Sequence, residues 1–249
     1  MAPTYVDGMR TDVALAGGHA VRAVEVTKVY GSGAGAVTAL DRVSLAVPDA
    51  ALTVVMGPSG AGKSTLLQCL AGLEQVTSGE VFLGDLGLHG AGEGWLSTVR
   101  QDAVGFVFAG FTLLPALTVD ENLLAPSRLA GNRPDPHWVD AVVSSTGLGS
   151  RLTDRPMQLS RAEQQRVAIA RALITQPQVV FADDPTEGLD HAGGEEVLAT
   201  VRSAVDDLGQ TMVLATGDPR SLADADQLVL LTGGQVADRI NPGASEPWA

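Results

Sequence analysis

The stretch Gly57-Pro58-Ser59-Gly60-Ala61-Gly62-Lys63-Ser64-Thr65 carries the most specific chemistry in the chain. Its spacing, G-x-x-x-x-G-K-S, makes a P-loop whose residue types suit a row of phosphates. Glycines let the backbone turn tightly, so that successive N–H groups face one anion. The dipole of a following helix favours the same negative charge. Lys63 then reaches the outer phosphates, and the Ser64 hydroxyl coordinates magnesium. A second set of chemical groups is Asp183-Asp184, which ends the apolar run Val179-Val180-Phe181-Ala182. A buried parallel strand with that ending delivers carboxylates to a ligand edge.

These groups need elements to hold them. The run Ala51 to Met56 reads as a buried strand feeding the loop, and Leu66 to Leu70 as the helix leaving it. Upstream, Val21 to Tyr30 and Val37 to Val47 read as β segments around a turn at Gly31 to Gly35, and Pro48-Asp49 turns the chain into the buried strand. Gly72 and Thr77-Ser78-Gly79 end the helix, Glu80 to Leu83 returns to strand, and residues 84–94 read as a glycine-rich polar loop. Val104 to Phe108 is a further short strand. Residues 111–175 alternate helical patterns with turns at Pro115, Pro126, Pro134-Asp135-Pro136 and Gly147-Leu148-Gly149, which reads as an all-helical insertion. Apolar residues at 197, 198, 201, 205 and 208 fit one helix face over Glu195 to Leu208. Met212 to Ala215 is a strand, and Leu228 to Leu231 turns through Thr232-Gly233-Gly234 into Gln235-Val236-Ala237 like a hairpin. This predicts an α/β P-loop NTPase with an inserted helical subdomain at about 111–175. A loose leader over 1–20, one domain over 21–240 and a tail over 241–249 complete the expected organisation.

Bulk composition sets limits on partners. The 249 residues are 45% hydrophobic, enough for one large α/β core. Asp and Glu number 29 against 16 Lys and Arg, and the net charge of −13 suits neither nucleic acid nor an anionic lipid surface. Any meeting with a membrane is expected through a protein partner. Lysine occurs only at Lys28 and Lys63, all other basic residues being arginine, so a lysine inside the phosphate loop stands out. The single Cys69 excludes an internal disulfide and suits a reducing compartment. No run approaches 18 apolar residues, and Asp7 and Asp12 interrupt the first 20 residues where a signal peptide would be apolar, so the chain reads as cytoplasmic.

The order of blocks resembles the ATP-binding subunit of an ABC transporter, of the lipoprotein-releasing and macrolide-exporter type, from about Val21 to Asp238. The blocks are Val29-Tyr30-Gly31, the loop 57–65, Thr77-Ser78-Gly79-Glu80, Gly105-Phe106-Val107-Phe108, Leu113-Leu114-Pro115 with Leu117-Thr118 and Glu121-Asn122, Gln158-Leu159-Ser160, Gln164 to Leu173, and Asp183 to Asp190. The resemblance implies a RecA-like core with an antiparallel β subdomain beside the helical one, and a head-to-tail homo- or heterodimer with two ATP molecules in the seam. Each ATP would touch the P-loop of one chain and the signature helix of the other, here Ser160-Arg161-Ala162-Glu163. It also implies Tyr30 stacking on adenine, Asp183 holding magnesium through water, Asp184 in the place of the catalytic base, and a transmembrane permease as partner. Phe111 to Leu124 is then either the permease docking region or plain core of the helical subdomain. The protein would sit peripherally at the inner face of the cell membrane.

Departures from the family pattern fall where the chemistry is done. The glutamine usual after Val107-Phe108 is Ala109, the signature's two glycines are Arg161 and Ala162, the catalytic glutamate is Asp184, and the histidine expected after Thr216 is Gly217. Asp184 is one methylene short, and a misplacement on the order of 1 Å costs about a hundredfold in rate. Arg161 either crowds the phosphate or pairs with its charge. None of His19, His89, His137 and His191 aligns with the missing histidine, and His191 reads as a solvated loop residue. Three readings follow: a working transporter ATPase; a nucleotide-gated subunit that closes without turnover; and a soluble protein acting on nucleic acid, which the acidic charge disfavours. Binding retained with reduced hydrolysis is the expected outcome.

Overall fold

The computed structural model describes residues 18–110 and 112–240. Among them the strands form two sheets. The smaller is antiparallel, in the order β2-β1-β4-β5, built from β1 (His19–Tyr30), β2 (Val37–Pro48), β4 (Ser78–Leu83) and β5 (Leu86–Gly87). The larger has the order β10-β9-β3-β8-β7-β6, with β3 (Leu52–Met56), β6 (Val104–Val107), β7 (Val179–Asp183), β8 (Thr211–Thr216) and β9 (Gln227–Thr232) parallel and β10 (Gln235–Ile240) antiparallel at the edge.

Alternation along the central strands sorts their side chains onto two faces. Val55, Phe181, Val213 and Ala215 pack with Leu66, Leu67 and Leu70 of α1 (Lys63–Leu70), in a core that continues into the small sheet through Val26, Leu45 and Leu83. Val54, Val180, Ala182, Met212 and Leu214 face the other way, onto Ile169 and Leu173 of α5 (Arg161–Leu173) and Val197 and Val201 of α6 (His191–Leu208). Cys69 lies in the first core, where burial pushes its thiol up to about 12.

Register then brings the chemistry to one edge. Met56 pairs with Thr216 across β3 and β8, and Asp183 pairs with Ala215 across β7 and β8. The carboxyl ends of three adjacent parallel strands therefore carry the P-loop, the aspartate pair and residue 217 together, where such sheets bind ligands.

Several boundaries differ from the sequence reading. β1 already begins at His19, inside the expected leader; residues 1–17 and the tail from 241 lie outside the described residues. α1 starts at Lys63, not Leu66. The expected loop 84–94 contains β5 and runs into α2 (Glu93–Ala103), whose Leu96, Val99 and Ala103 are buried at helical spacing. Pro126 makes no turn but sits inside α3 (Val119–Leu129), which a Thr118–Glu121 capping box starts. α4 (Pro136–Ser145) begins on the expected Pro134-Asp135-Pro136 turn, with Asp135 as its cap. His191 is the first residue of α6, capped by Asp190, and is helical though exposed.

Candidate functional site

The loop between β3 and α1 is built against backbone. A Cβ on Gly57 would lie 2.1 Å from the Leu231 carbonyl oxygen, and one on Gly62, at φ 99°, would lie 2.4 Å from that of Ala39. Only glycine permits these approaches. Gly60, at φ 77°, is held left-handed with open space beside it. The loop closes through Ala61 N–H donating to Pro58 O (3.1 Å), while Gly234 N–H, from the β9–β10 turn, donates to Ala61 O (3.0 Å).

This geometry suits an anion. Gly62 caps α1 without a side chain, so the first-turn N–H groups of Lys63, Ser64 and Thr65 have no side-chain acceptor from the cap. Lys63 Nζ donates to Gly57 O (2.8 Å) and Pro58 O (3.1 Å), and it has no carboxylate partner among the described residues. Pro58, Ser59 and Gly60 are exposed. A run of backbone donors at a helix N-terminus, beside a lysine with no carboxylate partner among the described residues, fits a polyphosphate.

Ser64 Oγ donates to Asp183 Oδ1 at 2.9 Å. A hydroxyl and a carboxylate side by side are hard oxygen donors, the type magnesium takes. Asp183 is half-buried, and burial raises its carboxyl above the usual carboxylate range. Asp184 and Glu187 act in the same sense; the Ser64 hydrogen bond and Lys63 oppose it. A cation at this position would remove that cost.

Asp184 is oriented differently. Its φ is 45°, its N–H donates to Ala215 O (2.7 Å), and its Oδ1 accepts from the hydroxyl of buried Thr216 (3.0 Å). The Thr216 hydroxyl in turn accepts from Asp218 N–H (3.0 Å). The aspartate is thus strapped to the end of β8. The sequence reading used Thr216 only as the residue before the missing histidine and gave it no part in the site. Gly217, next along, is exposed, with nothing within 4 Å of where a Cβ would stand. Ala109 is exposed beyond β6.

The signature residues contact the stretch 188–193. Ser160 caps α5: Glu163 N–H donates to Ser160 Oγ (3.1 Å) and Ser160 N–H to Glu163 Oε2 (2.7 Å). The second Glu163 oxygen accepts from Arg151 Nε (2.9 Å), and these bonds, that from the Ser160 backbone first, hold its carboxyl below its ordinary range. Ala162 is buried, its methyl 3.3 Å from where a Cβ on Gly193 would stand. Its side chain therefore packs on α6. Arg161 stays exposed and donates from Nη1 to Gly188 O (3.1 Å). With Ser160, Gly188, Asp190 and Gly193 it lines a groove of about 480 Å³. Tyr30 closes β1, 38% exposed.

The family model described as "ABC transporter" matches residues 40–187. The chain is 36% identical over 227 residues to the macrolide export ATP-binding/permease protein MacB of Marinobacter nauticus, covering 90% of this chain but 35% of that protein. It spans about a third of that relative's length. It is 38% identical over 213 residues to the uncharacterised ABC transporter ATP-binding protein YbbA of Escherichia coli K12, covering 85% of this chain and 93% of that one. The dimeric post-hydrolysis structure of the ATP-binding cassette MJ0796, bound to ADP and Pi, superposes with a TM-score of 0.77 at 32% identity, over 89% of this chain and 98% of that one. With a matched family model over more than half its length, a P-loop and a magnesium-type oxygen pair, the chain belongs to the ABC transporter family, as its ATP-binding component.

Proposed function

We propose that this chain pairs, as a homodimer or with a sibling, around Mg-ATP and couples it to a separate membrane permease, with slow hydrolysis. The carrying observation is the split between its two aspartates. Asp183 stands with Ser64 as a magnesium-type pair, whereas the Asp184 carboxylate is tied to Thr216, beside an open position at Gly217. Groups suited to binding stand together; the group that would take a proton from water is short, held to Thr216 and without a second side chain at residue 217.

Lys63 and the P-loop N–H groups, at Gly57 to Thr65, would hold the phosphates, and Ser64 and Asp183 the ion. The bound magnesium would neutralise charge developing on the phosphates. Tyr30 would take the adenine. Ser160 and Arg161 would face the nucleotide of the partner chain, with Ala162 and Glu163 shaping the helix end behind them. Support for a pair comes from the dimeric MJ0796 cassette, and support for a permease from the MacB relative, named for both functions. Among the described residues no helix is long and apolar enough to cross a membrane, consistent with peripheral placement at the inner face through the permease. The net charge of −13 speaks against nucleic acid as a ligand.

The test is steady-state hydrolysis beside an ATP-binding titration, with Lys63→Ala as control for contaminants. Binding with slow turnover that disappears in Lys63→Ala supports the proposal. Turnover that is insensitive to Asp184→Asn removes Asp184 from the reaction. Binding with no turnover makes this a nucleotide-gated regulatory or structural subunit of a membrane complex, the reading the Asp184–Thr216 bond favours next.

A further inference from the structure

The chain has two lysines, Lys28 and Lys63. Lys63 belongs to the P-loop. Lys28, on β1, is 8% exposed, and its ammonium has three partners: Glu74 Oε1 at 2.6 Å, Gln75 O at 2.7 Å, and the ring of Tyr30, 4.8 Å to the centroid. An ammonium has three donors and no acceptor, so carboxylate, carbonyl and ring face together satisfy it.

The same contacts connect two distant parts of the site. Leu73 and Glu74 donate their N–H groups to Gln68 O at the end of α1. Three residues on, Thr77 N–H donates to Thr27 O (2.8 Å), and Thr77 Oγ1 accepts from Val29 N–H (2.9 Å). The helix that begins in the P-loop is thus tied, through 73–77 and Lys28, to the end of β1 that carries Tyr30. Beyond Tyr30 the strand stops at Gly31, at φ 77°, so nothing downstream in the strand fixes the ring.

We propose that Lys28 is a positioning residue for the base of the nucleotide, holding Tyr30 as a one-sided platform in register with α1. This rests on the reading that a base lies on Tyr30. The buried ammonium occupies one ring face, which leaves the other for stacking. It also draws π density away from that outer face, which then better receives an electron-rich purine. The base would be recognised by its face, in the sequence-tolerant manner of aromatic stacking platforms.

The experiment compares affinities of the full chain for Mg-ATP and for magnesium tripolyphosphate, which lacks base and sugar, by calorimetry. Lys28→Met is expected to weaken ATP binding about three- to tenfold and to leave tripolyphosphate unchanged. Lys28→Arg, which keeps a cation over the ring, should restore most of the loss. In a Tyr30→Ala background Lys28→Met should add nothing, because the two residues act as one unit. Should Lys28→Met not fold, Glu74→Gln, which loosens the ammonium at a partly exposed carboxylate, should lower ATP affinity in the same base-dependent way. Equal losses on both ligands, or an unchanged ATP affinity, overturn the role of Lys28 alone. A wild-type chain that binds tripolyphosphate no more weakly than ATP overturns the platform itself, and one that binds neither overturns the nucleotide site with it.

Discussion

Under the proposed function, Asp184 and Gly217 would set how fast the site turns over. Gly217 has a φ that any residue adopts and nothing within 4 Å of a new Cβ, so a histidine enters without strain. Asp184, at φ 45°, is a type that tolerates the left-handed region better than glutamate does. Asp184→Glu with Gly217→His is therefore expected to raise the hydrolysis rate on the order of 10–100-fold while lowering the melting temperature slightly, measured by phosphate release and thermal denaturation. Unchanged rates in the double variant would mean that the Thr216 strap, and not side-chain length, limits the reaction. Asp183 carries the pH dependence. Burial raises its pKa, so its ionised form costs the ligand-free protein stability as pH rises through the raised value. The ionised form, the one that would take magnesium, is lost as pH falls through that same value, above the usual ~3.9 of aspartate. Mg-ATP affinity should accordingly weaken on acidification sooner than a solvated carboxylate would dictate. Asp183→Asn should flatten that dependence in a titration series.

At the scale of elements, tight backbone contacts limit substitution. Gly57→Ala would place its methyl 2.1 Å from Leu231 O, where β9 backs the P-loop, and should destabilise by about 3 kcal/mol or more, read from denaturant melts. In α6, a Cβ on Gly194 would stand 2.4 Å from Arg220 Nη2. That guanidinium cannot easily yield, because Asp218 takes Nε and Nη2 while Nη1 donates to His191 O at 2.7 Å. Gly194→Ala should cost about 1–3 kcal/mol, and Arg220→Ala in the same chain should recover part of it. Much of this layer was legible in advance. β7 and β8 are apolar through their middles and β3 is interrupted only by Thr53, a pattern that doubly covered parallel strands require, and the P-loop announces strand, turn and helix by spacing alone. α2 was hidden because Gly90-Ala91-Gly92-Glu93-Gly94 runs across its start and Gly92 caps it without a side chain. Pro126 signals a turn to any local reading, yet α3 packs around it. The strap on Asp184 depends on the register of β8 against β7, which no local pattern encodes.

For the whole molecule, charge is the variable that a paired state must manage. Two chains at −13 each repel, and that repulsion is screened over about 8–10 Å at physiological ionic strength. Nucleotide-dependent pairing of an Asp184→Asn chain, followed by sedimentation, should therefore strengthen between about 0.02 and 0.15 M salt. A pair held mainly by Arg161 and phosphate contacts would weaken instead. Each chain would lend its P-loop to one seam and its signature to the other, so Asp184 and Arg161 would enter both seams of a homodimer. The placement of the two lysines reaches into practical chemistry. Lys28 lies buried against the Tyr30 ring and Lys63 in the P-loop, and they are the only side-chain amines of the sequence. Amine-directed labelling would fall on the α-amino group and on the proposed nucleotide site, and protection of Lys63 by added nucleotide would report occupancy with no reporter group attached.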